Sequence, residues 1–182
     1  FAAKHRLFTG PQPPPAAVNV DDEWGRRLAD ELQAAHRAPL ITFGLGSGAE
    51  VRADGLQLGA HGSRFRAAGI EIETGLRGGF NVENVLGAIA AGILLDIDEE
   101  AIAAGVAALS GVPGRFEAVD EGQAFAVIVD YAHTPDSLDV VLHAARDLGT
   151  GRLIVVFGAG GDRDRGKRPL MGRIARDRAD LA

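Results

Sequence analysis

The segment GGDRDRGKR, residues 160–168, is a dense block of alternating charge that directly follows an apolar run. Gly161 and the pair Gly166–Lys167 have the spacing of a Walker A phosphate loop. Such a loop needs Ser or Thr after the lysine to hold Mg²⁺, whereas Arg168 stands at that position. The loop interior also consists of charged residues that would crowd a phosphate. The sequence therefore argues against a Walker A site.

The same segment is predicted to form the turn between a parallel strand and the next helix, which is where open α/β sheets usually bind ligands. Its basic side chains can bind carboxylates or phosphates, and arginine can do so through two parallel hydrogen bonds. These side chains are Arg163, Arg165, Lys167 and Arg168. Two aspartates alternate with them, so a solvated charged loop explains the composition equally well, and the residues alone leave both interpretations open.

The segment VIVDYAHTPDS, residues 127–137, places Asp130 at the end of an apolar strand and His133 three residues later. Residues 134–136 are an ordinary helix start. That role does not explain Asp130 and His133, which are predicted to face the same crevice as the charged segment. A carboxylate there could bind ribose hydroxyls, and a histidine could contact a phosphate or a reacting group. Either residue alone is more often structural.

Two asparagines, Asn81 and Asn84, lie three residues apart in FNVENVLGA and hence on one face of a predicted helix. Their amides together offer donors and acceptors that could bind the edge of an adenine. The alternative is that Asn81 is the N-cap of this helix and that Asn84 faces solvent. The residues alone favour this alternative.

The positions of Lys4, Arg115 and one glycine-rich segment do not by themselves indicate a functional role. Lys4 belongs to a short helix, where a lysine is usually solvated. Arg115 follows the turn GVPG, the best candidate for a domain boundary, where an arginine often pairs with a nearby acid. The glycines of GLGSG, residues 44–48, lack the spacing of a dinucleotide-binding loop and precede strands rather than a helix, so a plain turn is predicted.

The elements that would position these residues change in pattern at GVPGR. Upstream, we predict a helix (FAAKHRLF), a rigid proline connector and a strand (AAVNVDD). An amphipathic helix follows, with Trp24, Leu28 and Leu32 on one face. After it come a buried strand (PLITFGLG), antiparallel ribbons over residues 50–77, and two helices. Downstream, AFAVIVDYA and RLIVVFGAG are continuous apolar runs, each followed by a helical pattern. This alternation predicts βαβ units with a parallel sheet, too few to complete such a domain.

The composition narrows the class of protein. The 182 residues are 46% apolar and 24% charged, which is typical of a globular chain. The net charge of −6 argues against non-specific binding to nucleic acid. The absence of cysteine excludes disulfides and thiolate metal sites, and no apolar run is long enough to span a membrane. Both ends of the sequence look cut, so we expect part of a longer protein.

Taken in order, FAAK, NVDD, FNVENVLGA, GVPGRFE, DYAHTPDSL and GGDRDRGKRPLMG resemble the Mur ligase family, most closely its UDP-N-acetylmuramoyl-tripeptide synthetase (MurE) branch. The resemblance covers the whole chain. It implies an α/β fold with two parts. Residues 1–113 would be the later portion of a central ATPase domain. Residues 114–182 would begin a Rossmann-like, parallel-sheet C-terminal domain that is incomplete here.

The resemblance also implies roles for individual residues. Lys4 matches a lysine that the family carries as a carbamate, which would serve as an oxygen ligand of Mg²⁺. The pair Asn81 and Asn84 matches residues near the adenine of ATP. Arg115 matches an arginine that approaches the ATP phosphates, Asp130 the acid that binds the ribose, and His133 falls in the same nucleotide loop. In the MurE branch, Arg163 matches an arginine that contacts the incoming diamino acid, with Lys167 beside it.

The implied reaction uses ATP and Mg²⁺ to join a diamino acid, diaminopimelate or lysine, to a UDP-muramoyl dipeptide through an acyl phosphate, in peptidoglycan synthesis. We expect a cytoplasmic protein without membrane insertion, with a monomer favoured. The family's phosphate loop lies upstream of the residues present, so we expect this fragment to be inactive by itself. The rival hypotheses are another ligase of the superfamily, similar to folylpolyglutamate or cyanophycin synthetase, and a non-catalytic binding module that retains the fold.

Overall fold

The computed structural model describes residues 1–59, 62–149, 151–161 and 164–182. The chain divides into two compact units, Phe1–Ser110 and Gly111–Ala182. Among the described helices, none combines the length and the apolar composition that crossing a bilayer requires.

The first unit combines a parallel pair of strands with an antiparallel ribbon. Its elements are α1 (Ala2–Thr9), β1 (Ala16–Asn19), α2 (Glu23–Ala35), β2 (Leu40–Phe43), β3 (Asp54–Gly59), β4 (Gly62–Ala67), β5 (Ile70–Thr74), α3 (Gly79–Leu94) and α4 (Glu99–Ala108). Strands β1 and β2 pair in parallel, and β3, β4 and β5 form an antiparallel sheet in that order. The predicted ribbon over residues 50–77 is therefore confirmed.

The core of the first unit forms between the antiparallel sheet and α3. Alternate side chains of β4 and β5 are buried, as the period of a strand dictates, and they include Phe65 and Ile72. Helix α3 is apolar around most of its circumference, which suits a helix packed on several sides, and Leu86 and Ile89 are fully buried. The two asparagines of α3 are thus carried by the best-packed helix of the unit.

The prediction that Asn81 caps α3 is wrong. The helix begins at Gly79, and its N-cap is Gly78, whose φ of 87° belongs to the region that favours glycine. Asn81 is therefore the third residue of the helix, and its amide nitrogen donates to the carbonyl oxygen of Arg77 at 2.8 Å. The helix starts earlier than predicted because a glycine supplies the backbone turn that the asparagine was expected to supply.

The second unit contains β6 (Glu117–Val119), β7 (Val127–Val129), α5 (Pro135–Asp147) and α6 (Lys167–Arg178). Its core is small and lies between the two helices, around Leu138, Leu142 and Met171. The start of α5 is as predicted: Thr134 is the N-cap in a capping box with Ser137, and Pro135 is the first helical residue.

The described part of the second unit does not contain the predicted parallel ladder between its two apolar runs. Strand β7 pairs antiparallel with β6, and the later run makes only one isolated parallel bridge, from Ile154 to Leu181. A parallel ladder requires cover on both faces. The apolar run at residues 152–160 is not packed on both faces, since Val156 is 96% exposed.

Candidate functional site

Asp130 directly follows β7 and connects two parts of the second unit. Its Oδ2 accepts a hydrogen bond from the backbone nitrogen of Phe116 at 2.7 Å, and its Oδ1 accepts one from that of Ala132 at 2.7 Å. Phe116 has a φ of 48°, a left-handed conformation that costs a non-glycine residue about 1–2 kcal/mol. The hydrogen bond that the Phe116 nitrogen donates to Asp130 and the burial of the Phe116 ring offset that cost. Asp130 therefore organises the loop that leads into β6.

His133 lies three residues further along, with its ring held in one orientation. Its Nδ1 lies 3.1 Å from the carbonyl oxygen of Tyr131. Because a carbonyl only accepts, this bond places a proton on Nδ1 and leaves the lone pair of the neutral ring on Nε2. The carbonyl oxygen of His133 accepts a hydrogen bond from Nζ of Lys167 at 2.9 Å. This contact joins the segment at 127–137 to the charged segment at 160–168.

Arg168 binds the backbone where the charged segment begins. Arg168 donates from Nε to the carbonyl oxygen of Ala159 at 3.0 Å and from Nη2 to that of Gly161 at 2.7 Å. Its guanidinium thus connects the start of α6 to the backbone at residues 159 and 161, a role that sequence reasoning did not anticipate. Lys167 and Arg168 occupy the first turn of α6, where the helix dipole disfavours cations, and bonds to carbonyl oxygens offset that effect. Arg163 lies outside the described residues.

Arg115 is exposed, and its guanidinium carbon lies 5.5 Å from the centre of the Tyr131 ring. The turn that carries Arg115 is fixed by two backbone hydrogen bonds, from its own nitrogen to Val112 at 2.9 Å and from the nitrogen of Tyr131 to Gly114 at 2.7 Å. The second unit therefore brings Arg115, Asp130, His133 and Lys167 into one neighbourhood. Sequence reasoning missed Tyr131, although a large aromatic between an acid and a histidine at a strand end was a usable signal.

Asn81 and Asn84 touch in the first unit, as their spacing predicted. Asn81 is buried, with 4% of its surface exposed, and its Oδ1 accepts a hydrogen bond from Nδ2 of Asn84 at 3.2 Å. Asn84 is exposed and retains its amide oxygen and a second N–H. The buried asparagine thus orients the exposed one, which presents an acceptor and a donor to solvent.

A group of polar side chains that sequence reasoning missed lies at the carboxyl ends of β1 and β2. Asp21 accepts hydrogen bonds from the backbone nitrogens of Leu45 at 2.7 Å and Gly46 at 2.9 Å, which makes GLGSG the predicted plain turn. Asn19 donates to Oε2 of Glu83 on α3 at 3.4 Å. Burial, and then the charge of Asp21, raise the pKa of Glu83. The motif NVDD thus braces this end of the parallel pair.

Lys4 is exposed on α1, and it forms no ion pair with any residue that the structure describes. Phe1, the N-cap of α1, lies against Trp24 of α2 with 5.5 Å between ring centres, and His5 Nε2 of α1 lies 2.7 Å from an oxygen of Glu31. Trp24 is half exposed and serves this contact rather than the apolar face it was predicted to share with Leu28 and Leu32. Within the described ranges, no group of three or more His, Asp or Glu side chains could hold a metal ion.

Two known protein families match this chain. Residues 1–92 match the Mur ligase middle domain, and residues 114–182 match the Mur ligase, glutamate ligase domain. The chain therefore belongs to the Mur ligase family. The resemblance found in the sequence motifs and the α/β fold class are confirmed.

Curated relatives are similar over the entire chain. It is 46% identical to a UDP-N-acetylmuramoyl-L-alanyl-D-glutamate–2,6-diaminopimelate ligase from Solibacter usitatus, with 100% of the chain and 37% of the relative covered. It is 44% identical to the protein of that name from Streptomyces coelicolor, again covering 100% and 37%. The chain thus spans just over a third of the length of these relatives.

Solved structures agree in fold. A structure of a UDP-N-acetylmuramoyl-L-alanyl-D-glutamate–2,6-diaminopimelate ligase matches with a TM-score of 0.68 at 34% identity, over 99% of this chain and 38% of that one. MurF from Acinetobacter baumannii matches with a TM-score of 0.78 at 21% identity, over 97% and 39%. Folylpolyglutamate synthetase from Lactobacillus casei matches with a TM-score of 0.65 at 17% identity, over 92% and 42%. The last two show a shared fold alone.

Proposed function

We propose that this chain carries the nucleotide and amino-acid binding parts of an ATP-dependent ligase that joins 2,6-diaminopimelate to UDP-N-acetylmuramoyl-L-alanyl-D-glutamate in peptidoglycan synthesis. The observation that carries the proposal is 46% identity, over the entire chain, to a relative named for that reaction. The sequence motifs alone left lysine open as the amino acid. The names of the relatives favour diaminopimelate.

The proposed chemistry proceeds in two steps. The terminal phosphoryl group of ATP is transferred to a carboxylate of the glutamyl residue of the dipeptide, which forms an acyl phosphate and ADP. An amine of the diamino acid then attacks the acyl carbon, loses a proton and expels inorganic phosphate as the amide forms. Positive groups around the phosphates offset charge as the phosphoryl group moves.

Candidate contacts for ATP are found in the first unit and, separately, in the second unit. Each carboxylate oxygen of Asp130 accepts one backbone hydrogen bond and has room for a second, which suits the two hydroxyls of a ribose. The amide of Asn84, oriented by Asn81, offers the donor and acceptor that an adenine edge requires. Arg115 and Nε2 of His133 would face the phosphates.

We assign Lys167 and Arg163 to the carboxylate of the incoming amino acid. The bond from Lys167 to the carbonyl oxygen of His133 fixes the position of the ammonium group beside the nucleotide residues. The support for Arg163 is the resemblance of its segment to the MurE branch and the suitability of a guanidinium for a carboxylate.

Lys4 would hold Mg²⁺ as a carbamate. Its exposed amine and its lack of an ion pair within the described residues fit a lysine that must react with CO₂. A carbamate would supply one anionic oxygen ligand, and Mg²⁺ would bring charge neutralisation to the phosphates when bound. We also propose that residues 1–113 and 114–182 are the two domains. We place the protein in the cytoplasm, because ATP is supplied there, and we favour a monomer.

The proposal is tested in a full-length ligase that contains this chain. With ATP and the UDP-muramoyl dipeptide, diaminopimelate should stimulate ADP release, whereas lysine and folate with glutamate should not. Arg163→Lys keeps the charge but loses the planar fork, so the KM for the amino acid should rise at least tenfold while that for ATP stays constant. Asp130→Asn is the matched control and should raise the KM for ATP alone. A reversed pattern would show that the two sites have been exchanged.

A further inference from the structure

Tyr131 contacts two of the residues assigned to the phosphates, although its own ring is not buried. The side chain is 65% exposed. The guanidinium carbon of Arg115 lies 5.5 Å from the ring centre, and the imidazole of His133 lies 5.2 Å away, at 61° to the ring plane. Burial of apolar area therefore does not account for a large aromatic at this position. The contacts of the ring with Arg115 and His133 account for it instead.

The backbone of Tyr131 reinforces this arrangement. Its nitrogen donates to the carbonyl oxygen of Gly114, the residue before Arg115, at 2.7 Å. Its carbonyl oxygen accepts from Nδ1 of His133 at 3.1 Å. One residue thus ties down, through backbone and ring together, the chain that carries Arg115 and the side chain of His133.

The ring is the main restraint on the Arg115 side chain. Within the described part of the protein, its guanidinium has no hydrogen-bond or ion-pair partner, and the face of Tyr131 is its neighbour. A guanidinium near an aromatic face is attracted by the ring quadrupole, and its five N–H groups stay available for an anion. A carboxylate partner would instead occupy those donors and lower the net positive charge. Holding the arginine with a ring therefore preserves its capacity for phosphate.

We propose that Tyr131 is a positioning residue that aligns the guanidinium of Arg115 and the imidazole of His133 for the nucleotide phosphates. This inference rests on the proposed function. The aromatic ring performs the positioning, and the phenol oxygen is dispensable. Replacement of the ring should therefore matter and removal of the hydroxyl should not.

The ring contact can be tested in the chain itself, without any activity. In Tyr131→Leu, the ring-current displacement of the Arg115 side-chain NMR signals should disappear, and in Tyr131→Phe it should persist. Unchanged amide signals in α5 would show that both variants are folded, as the exposure of Tyr131 leads us to expect. Arg115 signals that do not respond to Tyr131→Leu would overturn the proposal.

The functional consequence is tested in the full-length ligase. Tyr131→Leu should raise the KM for ATP by about two- to fivefold, the range that the loss of an exposed cation–π contact gives. The KM for the amino acid should stay within about twofold, and Tyr131→Phe should match the wild type. Loss of ATP affinity in Tyr131→Phe would instead assign the function to the hydroxyl and overturn the proposal. If the wild type releases no ADP, the proposed function fails, while the NMR result still decides whether the ring holds Arg115.

Discussion

The two units hold their candidate functional groups by different means. In the first unit, Asn81 and Asn84 are carried by a helix seated on a core that includes the fully buried Phe65, Leu86 and Ile89. In the second unit, the apolar core lies between α5 and α6, and the loop around Asp130 is fixed by hydrogen bonds to backbone groups. A site carried by a helix that packs on an apolar core should tolerate substitutions of nearby polar side chains. A site fixed by hydrogen bonds should depend on a few acceptors.

The largest effect is expected from the core of the first unit. Phe65→Ala should lower the free energy of unfolding by about 3–5 kcal/mol, because it removes a fully buried ring and leaves a cavity. Urea denaturation followed by circular dichroism measures this loss. Val156→Ala is the control in the second unit and should change the free energy by less than about 0.5 kcal/mol, since Val156 is exposed. Equal losses in the two variants would contradict the comparison.

The next effect concerns the main acceptor of the second unit. Asp130→Ala should cost about 1–3 kcal/mol, because the backbone nitrogens of Phe116 and Ala132 lose their partner. Hydrogen exchange should show faster exchange at those two amides. The control is Asp147→Ala at the C-terminal end of α5, where removal of a negative charge is not destabilising. Unchanged protection at Phe116 would mean that packing, and not Asp130, holds the loop.

A smaller effect is expected at the start of α5. Thr134→Ala removes the hydroxyl that accepts from the nitrogen of Ser137 at 3.2 Å, and it should cost about 1 kcal/mol. The loss should appear in the thermal unfolding of the second unit. Thr134→Ser keeps the cap and should recover most of the stability. A serine variant as unstable as the alanine variant would show that the methyl group matters instead.

The smallest effect is a pH dependence in the first unit. Burial and the charge of Asp21 raise the pKa of Glu83 above its ordinary value of 4.5, so the folded state binds this proton more tightly than the unfolded state. The stabilisation that protonated Glu83 contributes to the folded state is fully present below pH 4.5, and it is lost as the pH rises through the raised pKa of Glu83. Glu83→Gln should therefore be more stable than the wild type at pH 7 and equal to it in acid. A variant less stable at pH 7 would show that the bond from Asn19 dominates.

Much of the local structure follows from the sequence alone. The ribbon at 50–77, the start of α5 at Thr134 and the meeting of Asn81 with Asn84 all depend on residues that are close in the chain. Alternation, capping preferences and helical spacing are local rules, so they are readable without a fold. The family motifs are equally local, and the family matches confirm the Mur ligase resemblance drawn from them.

Tertiary structure decided what those residues contact. Strand β7 pairs with β6, a strand of only three residues, and no short pattern could have indicated that choice. The hydrogen bonds from Phe116 to Asp130 and from Lys167 to His133 join residues 14 and 34 positions apart. Such contacts depend on how distant segments pack and on which backbone groups are left without partners. The sequence by itself determined which side chains were available for the site, and only the packed chain decided which of them hold one another in place.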